Sequence, residues 1–145
     1  MQIGGVMQVK LVTAEPEESV AEAIRRMLDA GIGSVVVCEE SRPVGIFTER
    51  DVLRLAGANT DLHSTPLRAV MTPNPLTISA EDGILDAAKL MGERKLRHLP
   101  VVEGSNLVGI VSMRDVLGFL AERLYSERDD DARETARALL GRSAS

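Results

Sequence analysis

The chain has 145 residues, of which 44% are hydrophobic and 27% are charged, and its formal net charge is −5. The negative charge argues against a nucleic-acid surface, which requires clustered Lys and Arg side chains facing phosphates. The apolar runs fall far short of the roughly 18 consecutive residues that a membrane span needs, so we expect no membrane partner.

The cysteine content and the N-terminal residues indicate the cellular compartment of the protein. Cys38 is the only cysteine, so no intramolecular disulfide can form. Residues 1–6 have neither the basic start nor the apolar stretch of a signal peptide. These features predict a cytoplasmic protein.

The first half of the chain predicts the order strand, helix, strand, strand, helix. A short strand is expected over residues 8–12, and a helix over 19–30 follows an acidic turn, because its apolar residues recur at helical spacing. Gly31 is a plausible stop for that helix. An antiparallel hairpin over 34–38 and 44–47 and a helix over 49–56 complete this half.

The second half predicts the same order. Strands are expected over 76–78, 99–102 and 107–111, and helices over 83–93 and 113–125. A polar connector and a short helical turn over 66–71 join the halves. After Leu124 the composition becomes acidic, and an apolar stripe that includes Ala136, Leu139 and Leu140 predicts an extra C-terminal helix.

The two halves are copies of one another. A shift of 64 residues places residues 44–53 on residues 108–117 without a gap. In both copies an apolar strand runs into a hydroxyl residue, an acidic residue follows three positions later, and an apolar helix begins. One copy alone buries too small a core to be stable, so we expect the two to pack against each other.

This tandem β-α-β-β-α unit resembles the cystathionine-β-synthase (CBS) domain. The resemblance rests on the motif Gly-apolar-x-[Thr/Ser]-x-x-Asp, which leads into the last helix of each half. Val70-Met71-Thr72-Pro73 at the entry of the second half and the strand from Arg97 to Val102 also match. The resemblance implies an α+β fold in which two CBS units pack as a pseudo-two-fold pair. We expect unit 1 over residues 1–59, a connector over 60–69, unit 2 over 70–122, and a charged helical tail over 123–145.

The resemblance also implies a regulatory module that binds an adenine nucleotide, AMP, ADP or ATP, in the cleft between the units. A homodimer and a separate regulated protein are the partners it implies. S-adenosylmethionine is an alternative ligand, and a ligand-free dimerisation or interaction module is an alternative function. We expect no enzymatic activity, no catalytic cofactor and no metal, because the chain lacks a phosphate-binding loop, a nucleophile elbow and metal-ligand spacing.

The residues at the two strand-to-helix junctions are the first candidates for the site. They are Thr48 and Asp51 in the first half, and Ser112 and Asp115 in the second. A helix start offers free N–H groups and a positive dipole end, which favour phosphate. The resemblance matches each acid to the ribose-binding carboxylate of the family. The alternative is a capping box that serves the helix alone, and both interpretations stay open.

Basic residues beside the junctions are candidates for contact with phosphate. Arg50 and Arg114 lie in the first turn of a helix, where the dipole disfavours an unpaired cation; solvent exposure is the alternative. The resemblance matches Arg97 and His98 to positions that meet phosphates in nucleotide-binding members. Their counterparts in the first half are Gly33 and Ser34, so we expect the two clefts to differ. The neighbouring residues Arg94 and Lys95 are expected to face solvent.

The last candidates also come from the resemblance. Thr13 and Thr77 end the first strand of each half, where the family often places a ligand-facing hydroxyl, although a β-branched residue suits any strand. Because only 2% of the residues are aromatic, an adenine would lie between aliphatic side chains. The candidates for that role, whose alternative is ordinary core, are Val36, Ile46, Pro100 and Ile110.

Overall fold

The computed structural model describes residues 1–126 and 130–144. It confirms the α+β class, with two small sheets flanked by helices. Residues 127–129 and 145 of the expected tail lie outside the described residues. Within the described ranges, no helix is both long and apolar enough to cross a lipid bilayer.

The first unit has the expected order of elements. A two-residue strand β1 pairs in parallel with β2, and β2 forms the predicted antiparallel hairpin with β3. The elements of this unit are β1 (Thr13–Ala14), α1 (Val20–Ala30), β2 (Ser34–Glu39), β3 (Arg42–Thr48) and α2 (Glu49–Gly57).

The second unit repeats this order and is preceded by a short helix and a short strand. That strand, β4, pairs antiparallel with β3 and so extends the sheet of the first unit to four strands. The elements are α3 (Leu67–Val70), β4 (Thr72–Pro73), β5 (Ile78–Ser79), α4 (Ile84–Arg94), β6 (His98–Glu103), β7 (Asn106–Ser112), α5 (Met113–Ser126) and the extra helix α6 (Asp130–Ala144).

The ends of helix α1 follow directly from its sequence. The Ser19 hydroxyl accepts a hydrogen bond from the Glu22 backbone N–H at 3.2 Å, which satisfies one free donor of the first turn. Gly31 has a φ of 64° and ends the helix in the left-handed conformation that glycine adopts without a Cβ penalty. The predicted start and stop are confirmed.

The first strand of each unit was predicted too early. Residues 8–12 contain only one bridge, in which Gln8 pairs with Ile110 of the other unit, and the strand itself is Thr13–Ala14. The Gln8 N–H donates to the Ile110 carbonyl at 2.8 Å, and the Ile110 N–H donates back at 3.1 Å. Gln8 and Ile110 pair across the two units, and the alternation of apolar and polar residues within one segment cannot predict such a pairing.

The first hairpin turn is tighter than predicted. We expected a connection from residue 39 to 43, whereas β2 and β3 are joined by Glu40 and Ser41 alone. Both have positive φ, 48° and 69°, as in the two-residue turns that match the twist of a hairpin.

The fold has two hydrophobic cores, and each contains a short segment that lies outside the main elements of its unit. Ile3, in a 3-10 turn over Ile3–Gly5, is 0% exposed and packs in the second core with Ile78 and Leu99. Leu67 of α3 packs in the first core with Phe47. The chain therefore crosses between the cores at both of these points. The unit boundaries 1–59, 60–69, 70–122 and 123–145 stay a prediction.

Candidate functional site

The starts of α2 and α5 are fixed in the same way. The Glu49 N–H donates to the Gly33 carbonyl at 3.0 Å, and the Met113 N–H donates to the Arg97 carbonyl at 2.8 Å. Each helix start is thereby held against the residue that precedes the second strand of its own unit. Two clefts related by the repeat lie beside these junctions.

The Asp115 cleft has a volume of about 250 Å³. It combines the second junction with β2 and with the segment that precedes β1, and therefore lies between the units. Its lining residues are Gln8, Lys10, Leu11, Val12, Ile32, Gly33, Ser34, Val36, His98, Ile110, Ser112, Arg114 and Asp115.

The Asp51 cleft has a volume of about 300 Å³. It combines the first junction with β4 and with the segment that leads into β6. Its lining residues are Gly33, Ile46, Thr48, Glu49, Arg50, Asp51, Thr72, Lys95, Leu96, Arg97 and His98.

Asp51 caps its own helix. Its Oδ2 accepts hydrogen bonds from the Thr48 N–H at 2.9 Å and from the Thr48 hydroxyl at 3.3 Å. Its Oδ1 accepts a bond from the Arg54 guanidinium at 3.1 Å, and its side chain is 13% exposed. A ligand hydroxyl would have to share this carboxylate with a charged partner one helical turn away.

Asp115 forms the corresponding cap on α5, but its second carboxylate oxygen binds a neutral side chain and not a cation. Its Oδ2 accepts the Ser112 N–H at 3.0 Å, and its own N–H donates to the Ser112 hydroxyl at 3.1 Å, which completes a reciprocal capping box. Its Oδ1 accepts a hydrogen bond from the side-chain amide of Gln8 at 3.1 Å. The capping interpretation is thus observed at both junctions. It does not exclude ligand use, because both acids also line a cleft.

His98 lines both clefts, as does Gly33. Burial lowers the pKa of His98 most strongly and Arg97 lowers it further, while Asp115 and Glu49 act to raise it. Because burial dominates, the imidazole is neutral at pH 7. A bound anion would favour its protonation.

The positive side chains are divided between the clefts. Arg50 and Arg97 line the Asp51 cleft, and Arg114 lines the Asp115 cleft. Lys95 is exposed, as expected, and it also lines the Asp51 cleft. It occupies the left-handed position that ends α4, with a φ of 55°, and this turns the chain toward β6.

Three predicted residues lie outside both clefts. Thr13 lines a separate depression of about 430 Å³, and its carbonyl accepts a hydrogen bond from Arg26 at 2.8 Å. Thr77 is exposed just before β5, and Pro100 is buried in β6. Their ligand contacts stay predictions. The other eleven site residues line one cleft or both.

Several residues that line the clefts were not predicted from the sequence, and Gln8 and Thr72 are the most informative of them. The shift of 64 residues aligns these two, so the repeat alone could have marked the position. Lys10 and Glu49 carried no such signal, because their counterparts in the other unit, Asn74 and Met113, differ from them in chemical type.

A depression of about 630 Å³, larger than either cleft, lies at the hairpin tips and away from both junctions. Arg68 crosses it and forms ion pairs of 2.6 Å with Glu17 and with Glu39. Since these exposed charges are already paired and the walls carry more acid than base, it suits a phosphate ligand less well than the two clefts. Among the described residues, no group of three or more His, Cys, Asp or Glu side chains could hold a metal ion.

Comparison with known proteins identifies the family. The sequence model of the CBS domain matches residues 3–57 and again residues 67–122. An uncharacterized protein of Methanopyrus kandleri is 33% identical over 120 residues, which are 81% of this chain and 61% of that protein. The chain thus spans less than two thirds of this relative. The CBS domain-containing protein YhcV of Bacillus subtilis is 30% identical over 110 residues, 76% of this chain and 79% of YhcV.

A solved structure shows the same fold. The crystal structure of CBSX2 in complex with AMP superposes with a TM-score of 0.75 and 26% identity, over 84% of this chain and 97% of CBSX2. The repeat, the two sheets and both sequence matches agree. The chain belongs to the CBS domain family and carries two copies of that domain as a pair.

Proposed function

We propose that this CBS pair is a regulatory sensor that binds an adenine nucleotide in the clefts between its two units. The observation that carries the proposal is the pair of helix starts, each of which places an acidic residue in a cleft that also contains basic side chains. The AMP complex of CBSX2 supports an adenosine ligand for this fold.

The Asp115 cleft offers a group for each part of such a ligand. The Asp115 carboxylate accepts hydrogen bonds and can bind two neighbouring ribose hydroxyls once Gln8 releases it. Val36 and Ile110 are apolar walls for the adenine. The N-terminus of α5 and the Arg114 guanidinium attract the phosphate. In the Asp51 cleft the corresponding groups are Asp51, Ile46 and the start of α2, with Arg50, Arg97 and His98 for the phosphate.

Calorimetry separates this proposal from its alternatives. We expect heat on titration with AMP, ADP or ATP, and loss of at least one binding event in Asp51→Ala or Asp115→Ala while the fold persists. If both acids only cap their helices, each variant loses about 0.5–2 kcal/mol of unfolding free energy and no ligand response changes. Heat with S-adenosylmethionine alone would identify that ligand instead. No heat with any of the four contradicts the sensor.

We further propose that the chain forms a homodimer. Large apolar side chains on four helices face solvent, namely Leu28, Leu53, Leu85 and Leu117, with exposed fractions of 76%, 75%, 70% and 44%. Burying them against a second copy would remove this apolar surface from water. Native mass spectrometry measures the assembly directly, and a monomer at micromolar concentration contradicts it.

No catalytic role is proposed for either cleft. The CBS pair would act on a separate regulated protein. The cytoplasmic location expected from the sequence stays a prediction.

A further inference from the structure

One side chain serves two clefts. His98 lines the Asp115 cleft and the Asp51 cleft, whereas Ser34, its counterpart in the first unit, lines only the Asp115 cleft. Gly33 is the other residue common to both, and it has no side chain to offer a ligand. The repeat alone would give each cleft its own residue at this position. The exchange of Ser for His therefore makes the pair asymmetric at the wall that the clefts share.

Charged groups reach this wall from both sides. On the side of the Asp115 cleft, strand pairing places His98 opposite Ser112, next to Asp115, and the nearby cations are Lys10 and Arg114.

On the side of the Asp51 cleft, the Glu49 carboxyl group lies over Gly33, since a Cβ built there would lie 3.2 Å from Glu49 Cδ. Arg97 immediately precedes His98 at the start of β6 and lines the same cleft. The other charged residues in this lining are Arg50, Asp51 and Lys95. The imidazole thus has an acid and at least one cation on each side.

We propose that His98 couples the two clefts, so that an anionic ligand bound in one cleft weakens the binding of a second in the other. This inference rests on the proposed function, since it requires a phosphate-bearing ligand in each cleft. One imidazole carries at most one positive charge. The first phosphate to bind takes that charge as a hydrogen-bonded partner, and the second cleft loses it. A coupling between sites of this kind is commonly worth a factor of about five or more in affinity.

The same geometry predicts proton uptake. Burial keeps the pKa of His98 below its ordinary value, with Arg97 lowering it and Asp115 and Glu49 opposing the shift. A phosphate stabilises the imidazolium, so binding raises that pKa and draws a proton from the buffer. AMP affinity should then increase as the pH falls toward 6.

AMP calorimetry on matched variants tests the coupling. In the wild-type chain we expect two binding events, of which the second is about fivefold or more weaker than binding to the same cleft when it is isolated in Asp51→Ala or Asp115→Ala. His98→Ser, which restores the residue of the first unit, should bring the two events to independence and abolish proton uptake. His63→Ser is the control, since His63 is exposed in the connector and outside both clefts. It should leave the coupling intact.

The outcomes are distinguishable. If no variant binds AMP, the proposed function fails. If AMP binds both clefts independently in the wild-type chain, or if the coupling survives in His98→Ser because the two phosphates simply repel each other, only the role of His98 fails.

An NMR measurement on the ligand-free protein tests whether His98 faces both clefts. NMR titration of His98 should show its pKa lowered further by Glu49→Gln and also by Asp115→Asn. A response to only one of these variants would place the imidazole in a single cleft and overturn the coupling.

Discussion

Asp51 and Asp115 occupy equivalent positions in the two units, yet their second carboxylate oxygens have different partners. Arg54 binds one of them as a cation, and the neutral amide of Gln8 binds the other. The sequence located both acids, because the hydroxyl and the acid recur at one register. It did not reveal Gln8, which is more than a hundred residues away from Asp115 and meets it only because the N-terminal segment crosses to the second unit.

The protonation of His98 gives a prediction at the same scale. Its pKa is lowered in the folded chain, chiefly by burial, so the unfolded chain binds a proton more readily. Unfolding free energy should therefore be retained above about pH 6.5 and decrease as the pH falls through the lowered pKa of the folded state.

Denaturation by urea at several pH values measures this effect. The wild-type chain should lose more stability than His98→Ser between pH 7 and about pH 5, because the two proteins differ only in this imidazole. Equal pH dependence in the two proteins would show that His98 is not held neutral by the fold.

At the scale of elements, strands β3 and β7 each contain a glycine against which a methionine packs. Met71 lies against Gly45, and Met7 lies against Gly109. The helices and hairpins were predicted correctly because their periodicity is local. The two-residue strands β1 and β5 were not, since pairing with a distant strand, rather than their own pattern, defines them.

We therefore expect Gly109→Ala to destabilise the chain. A Cβ there would lie 2.6 Å from Met7 Sδ and 3.1 Å from the Gln8 carbonyl oxygen, and the backbone atom cannot move as freely as the thioether. Overpacking of this kind costs about 1–3 kcal/mol of unfolding free energy.

Gly118→Ala is the matched control, because Gly118 lies inside α5 with nothing within 4 Å of the added carbon. Its helix should gain about 0.5–1 kcal/mol. Thermal unfolding compares the two variants. Equal melting temperatures would show that the N-terminal segment does not press on β7.

At the scale of the whole molecule, the chain folds as two cores joined by exchanged segments. Ile3 belongs to the second core although it precedes the first unit, and Leu67 belongs to the first core although it leads into the second unit. The two units therefore cannot separate without opening both cores, and both clefts depend on the joined state.

Ile3→Ala tests this dependence. The side chain is 0% exposed, so its truncation should cost about 2–5 kcal/mol of unfolding free energy and weaken the Asp115 cleft, whose Gln8 lies on the same segment. Val9→Ala is the control, because Val9 is 71% exposed. Its effect should stay within about 0.5 kcal/mol. Similar unfolding midpoints for the two variants would argue against an N-terminal segment built into the second core.

The sequence by itself determined the repeat, the element types, the CBS pair and the acids at the two helix starts. It could do so because hydrophobic period, helix caps and turn residues act over a few neighbouring positions. Only the tertiary structure decided which residues face a common cleft. Gln8 beside Asp115, Glu49 over Gly33 and His98 between two clefts arise where distant segments cross, and contacts of that kind leave no local pattern in the chain.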